Sequence, residues 1–115
     1  MLFEIDDNKT VGDLQERFRE CFPGLSLAFY THAHSWNHPS SPETEVSPQT
    51  NIGEISRKHL PGVLEIHSSD KAGDVEVKLK KRFGLFAQVL YQKSGQWIQT
   101  GNEDDKTLAE LSSIK

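Results

Sequence analysis

Displaced by 61 positions, the chain lies on itself without a gap from residue 2 to residue 36. Phe3-Glu4-Ile5 falls on Leu64-Glu65-Ile66, Gly12-Asp13 on Gly73-Asp74, Phe22 on Phe83, Tyr30 on Tyr91 and Trp36 on Trp97. Seven positions are identical (Glu4, Ile5, Gly12, Asp13, Phe22, Tyr30 and Trp36), and others keep their polarity, as Leu14 does with Val75 and Arg17 with Lys78. The match resumes at a displacement of 56, where Ile52-Gly-Glu-Ile-Ser56 falls on Leu108-Ala-Glu-Leu-Ser112. Five extra residues therefore lie between Trp36 and Ile52. A repeat constrains the fold first, because each copy must build the same unit and bury its apolar face. The expectation is one domain over residues 1–115, with two pseudo-symmetric halves at about 2–56 and 63–112, and 115 residues suit a single core.

Each copy reads as strand, helix, strand, strand and a short helical turn. In the first, Leu2 to Ile5 is a short apolar strand. Thr10 offers an N-cap hydroxyl, with Asp13 three residues on in place of the usual Glu or Gln of a capping box. Val11, Leu14, Phe18, Cys21 and Phe22 then form one helical stripe, which Pro23-Gly24 stops. Leu25, Leu27 and Phe29 alternate with Ser26, Ala28 and Tyr30, the period of a strand. The second copy gives a strand at Val63 to Ile66, a helix from about Asp70 with stripe Ala72, Val75, Leu79 and Phe83, and a stop at Gly84. Phe86 to Gln92 and Gln96 to Thr100 are strands joined by the hairpin turn Ser94-Gly95.

Two amphipathic helices cannot cover both faces of a sheet this size, so the pattern predicts helices on one face: an α+β two-layer sandwich. Successive strand-helix-strand units point to a ferredoxin-like plan with an added hairpin strand per copy, and a ubiquitin-like β-grasp is the alternative. The stretch Asn37 to Gln49, with Pro39, Pro42 and Pro48, reads as a long extended linker.

Motifs that carry chemistry are scarce. His32 and His34 share one strand face and His38 follows from the loop, a weak metal pattern without an acid or cysteine beside it. The second copy has Lys93 and Gly95 at the matching positions, so no metal is expected. Cys21, the one cysteine, lies in the helix stripe as inert packing and excludes an internal disulfide. Asn102-Glu-Asp-Asp105 lacks the glycine of a calcium loop, and Asp6-Asp7 reads as an exposed turn. There is no P-loop, GxGxxG, GxSxG or HExxH. The expectation is a non-enzyme without cofactors.

Charge is uneven. The net charge is -6 over residues 1–56, +4 over 57–93 and -2 over 94–115, totalling -4. The basic segment 57–82 carries Arg57-Lys58-His59, Lys78, Lys80, Lys81 and Arg82. Those charges read first as a solvated helix end that complements the helix dipole, and second as a patch for an acidic partner. A pI near 5.7 argues against a general nucleic-acid binder, so nucleic acid is the alternative partner only. With helices on one face, Tyr30 and Tyr91 fall on the open one, opposite Leu25, Leu27 and Phe29. Together with Trp36 and Trp97 they predict a protein-binding or homodimer surface. No apolar run approaches the roughly 20 residues that span a bilayer, and no charged-then-apolar leader opens the chain, so a cytoplasmic protein away from membranes is expected.

The ending Ser94-Gly95-Gln-Trp97 followed by Asp104-Asp-Lys-Thr107-Leu108-Ala-Glu110 resembles a pattern of small uncharacterised bacterial proteins, as do Gly73-Asp74-Val75-Glu76 and Phe83-Gly84-Leu85. The resemblance spans essentially the whole chain, leaves out His32 to Pro48, and implies a stand-alone domain of unknown function with no catalytic residue. The sequence predicts a non-enzymatic protein-interaction module.

Overall fold

The computed structural model describes residues 1–31, 45–59, 61–100 and 105–113. The elements run β1 (Leu2–Ile5), α1 (Val11–Cys21), β2 (Leu25–Tyr30), α2 (Ile52–Ile55), β3 (Gly62–Glu65), α3 (Ala72–Phe83), β4 (Phe86–Lys93), β5 (Gln96–Gln99) and α4 (Leu108–Ser112). The fold class is α+β.

Local chemistry sets the boundaries. Thr10 and Asp13 form a complete capping box at α1, and Thr107 and Glu110 form another at α4. The backbone and side-chain bonds from Thr10 and Thr107 hold the Asp13 and Glu110 carboxyls below their ordinary values. Gly84 ends α3 in the left-handed conformation, φ 65°, with its N–H returned to the Leu79 and Lys80 carbonyls. A β-carbon there would sit 2.8 Å from the Arg57 nitrogen, so glycine is required on both counts.

Among the described residues the strands make two antiparallel sheets, β1–β3 and β2–β4–β5, where the sequence pattern predicts one. Among the described residues these pairings do not form the one continuous sheet of the ferredoxin-like plan or of its β-grasp alternative. Every residue of β2 is buried. The core joins Phe3, Ile5, Leu64 and Ile66 to the α1 stripe Val11, Leu14 and Phe18 and the α3 stripe Ala72, Val75, Leu79 and Phe83. Leu25, Leu27, Phe29, Ala87, Val89 and Tyr91 supply the larger sheet's contribution.

Both pairings are unchanged when the halves are exchanged. Phe3 faces Leu64, flanked by Leu2 with Glu65 and Glu4 with Val63, a displacement of 61. In the larger sheet Ala28 faces Gln88, flanked by Leu27 with Val89 and Phe29 with Ala87, a displacement of 60. The lost residue falls between Phe22 and Gly24: Phe22-Pro23-Gly24-Leu25 corresponds to Phe83-Gly84-Leu85, and Pro23 is the extra one. Sheet position therefore matches Tyr30 with Leu90, and one residue of slip turns a side chain to the opposite face. Tyr91 lies opposite Leu25 on the core side, and Tyr30 lies on the other face with Ser26 and Ala28. The expected shared aromatic face is thus corrected. Both tyrosines are buried.

The short helices close each half in the same way. Ile52 and Gly53 donate to the Lys9 and Asp7 carbonyls, and Leu108 and Ala109 to those of Asp70 and Ser68. Each then reaches the other half. Ser56 donates its hydroxyl to the Phe83 carbonyl and the Arg57 amide donates to that of Gly84, while the Ser112 carbonyl lies over Gly24.

Candidate functional site

The last turn of α3 presents Lys80, Lys81 and Arg82, where cations oppose the partial negative charge of the exposed carbonyls. The αL turn at Gly84 redirects the chain and leaves space for residue 57, whose amide donates to the Gly84 carbonyl at 3.3 Å. Ser56 holds this segment, its hydroxyl oxygen accepting the Lys58 and His59 amides. The Lys58 ammonium donates to the Lys81 carbonyl. The Arg57 guanidinium lies 5.2 Å from the centre of the Phe86 ring and the Lys80 nitrogen 6.0 Å from it. Arg82 stands 5.2 Å from the Phe83 ring. Two segments more than twenty residues apart thus meet as one basic surface, with Arg57 and Lys80 steered onto one half-buried aromatic ring.

Lys78, expected in the same patch, pairs instead with Asp70 at 3.8 Å. Among the described residues, Arg57, Lys80, Lys81 and Arg82 form no ion pair. Such a cluster raises local anion concentration and can hold carboxylates, which a planar guanidinium grips with two hydrogen bonds.

A groove of about 560 Å³ opens elsewhere, lined by Arg19, Ser26, Tyr30, Leu90, Trp97 and Gln99 among others. Trp97 is 45% exposed. The Tyr30 hydroxyl accepts from the Gln99 side chain at 3.0 Å. Burial first, then the negative field of Glu45 and Glu76, pushes its pKa up to about 12. Tyr30 is therefore a buried neutral phenol, and among the described aromatics of the expected set Trp97 meets solvent.

His32, His34, His38 and Trp36 lie outside the described residues. Among those described, no three of His, Cys, Asp and Glu gather closely enough to hold a metal ion. Cys21 is half-buried against the core. No described helix is long and apolar enough to cross a membrane. The i,i+4 spacing of Glu76 and Lys80 predicts an exposed pair, but Glu76 is buried and receives the Gln88 side-chain amide at 3.1 Å and the Val89 backbone amide at 2.9 Å. It lies beside Val75 in the buried stripe of α3, and a carboxylate at such a position was the available signal. Comparison with known proteins returns no match: no family model, no curated protein and no solved structure is recognisably similar to this chain.

Proposed function

We propose that the chain is an internally duplicated, non-enzymatic protein-interaction module that engages an acidic partner through Arg57, Lys58, Lys80, Lys81 and Arg82. The observation that carries this reading is the convergence of those cations from two segments around Phe86 and Phe83. The exchange of halves supports a function in place of a folding requirement. Where the second half has Lys81 and Arg82 the first has Glu20 and Cys21, and where Arg57 follows α2, Ser113 follows α4. The same architecture closes at the other end with one of these charges kept, Arg19 at the position of Lys80. The register of Phe3 with Leu64 and of Ala28 with Gln88 supports the duplication.

A labelled polyglutamate peptide tests the reading. It binds at low salt, releases at high salt, and loses affinity at least tenfold in the Arg57→Glu/Lys80→Glu variant, whose fold is checked by circular dichroism. Equal binding by that variant refutes it. Nucleic acid is the second reading, favoured by the aromatic rings beneath the cations. It prevails if mixed RNA and DNA of matched charge shift at lower protein concentration than the peptide requires.

A further inference from the structure

We infer that the acidic partner is a second copy of this chain, whose α1 lays Glu16 and Glu20 against Lys80 and Lys81 of α3. This inference rests on the basic surface proposed above and names its occupant. At the displacement of 61 that relates the helices, Glu20 stands where Lys81 does and Glu16 where Val77 does. Glu20 and Lys81 thus carry opposite charge at one matched position, while Arg19 stands where Lys80 does.

The cations of α1 are exposed beside Glu16 and Glu20 but make contacts of their own. The Arg17 guanidinium lies over the Phe3 ring at 5.8 Å and reaches the Leu2 carbonyl, and Arg19 reaches the Ser26 hydroxyl at 3.4 Å. Glu16 and Glu20 remain exposed one turn apart. Among the described residues neither forms an ion pair. Like charges at that spacing weaken an isolated helix, so this face does not serve the helix itself.

On α3, Lys78 is spent on Asp70, and Lys80 and Lys81 stay exposed beside Val77, which is 46% exposed on the same helix. An aliphatic side chain flanked by cations suits the stems and carboxylates of a glutamate pair. The same complementarity holds at longer range, since residues 1–56 carry -6 and residues 57–93 carry +4. Contacts of this kind are individually weak, so the association is concentration-dependent and salt-sensitive.

Sedimentation of the full chain over a concentration series is the experiment. The weight-average mass rises above the 13.0 kDa of one chain in about 10 mM salt, where the screening length is about 30 Å, and returns to it in about 1 M salt, where that length is about 3 Å. Two charge-swap variants, Glu16→Lys/Glu20→Lys and Lys80→Glu/Lys81→Glu, are each monomeric, because each repels its own kind at this contact. Mixed together they associate again. A control with the same net charge as the first, Glu4→Lys/Glu54→Lys, associates with itself as the wild type does, because both faces of the contact are intact. A monomeric wild-type chain at low salt overturns the inference. So does association indifferent to salt or to the swaps, swaps that mixing fails to rescue, or a control that is itself monomeric. If the chain is monomeric while polyglutamate still binds at Arg57 and Lys80, the second copy is excluded and the acidic-partner reading stands.

Discussion

The Glu76 carboxylate accepts the Val89 amide at 2.9 Å. The described β5 ends at Gln99, and although Thr100 donates to the Val89 carbonyl, the Val89 N–H takes its partner from α3. A buried helix carboxylate thus completes a strand edge, with the Gln88 amide held by the same oxygen. Glu76→Ala leaves two buried donors without that acceptor, and urea unfolding is expected to show a loss of about 3 kcal/mol. Glu76→Gln, which retains one oxygen acceptor, costs less. A neutral result for the alanine variant removes this role.

Gly84 and Gly95 both adopt positive φ, 65° and 79°, but their surroundings differ. A β-carbon at Gly95 meets nothing within 4 Å, whereas at Gly84 it meets the Arg57 backbone at 2.8 Å. Gly95→Ala should cost about 1 kcal/mol for the conformation alone. Gly84→Ala should cost at least twice as much and also broaden or shift the Arg57 and Lys58 amide resonances in NMR spectra. Equal costs would show that the α3 end and the segment after α2 are not coupled.

Tyr30, with its pKa raised from 10 to about 12, binds its proton more tightly in the folded chain than in the unfolded one. Its contribution to stability is complete below pH 10 and is lost between about pH 10 and pH 12. Ultraviolet titration of phenolate should contain a late component that disappears in Tyr30→Phe. That variant should also show a shallower fall of stability across the same range.

Neither half should fold alone. Ser56 and Arg57 close on Phe83 and Gly84, the Ser112 carbonyl covers Gly24, and β1 pairs with β3. Peptides covering residues 1–56 and 57–115 should each lack cooperative thermal unfolding by circular dichroism and recover it on mixing. A cooperatively folded single half would contradict the interlocked arrangement.

Helices and strands were legible because their causes are local: the Thr10-Asp13 cap, the Val11-Leu14-Phe18 stripe, the Leu25-Leu27-Phe29 alternation and the Ser94-Gly95 turn. The partition into two sheets was not, since nothing in Phe3 or Leu64 states that each will be the other's partner. Tyr30 and Tyr91 misled because identity aligned them at 61, while Pro23 had already moved the strands to 60. Lys80, Lys81 and Arg82 were visible as a run of charge. Their meeting with Arg57 over Phe86 depends on the αL turn at Gly84 and the seat of Ser56, which become apparent only once the chain is folded.

The pairing of Leu2 with Glu65 fixes the order in which the molecule can be assembled. During synthesis, at about 5–20 residues per second, the first strand emerges several seconds before its partner exists. Through that interval Phe3 and Ile5, later buried, have no opposite strand, and the Leu2 and Val63 side chains stay exposed even in the finished protein. Synthesis therefore leaves β1 sticky and unoccupied, its closure waiting on distant contacts that are slow to form. For a chain of this design, the interval on the ribosome is the period of greatest exposure to chaperones, and to aggregation.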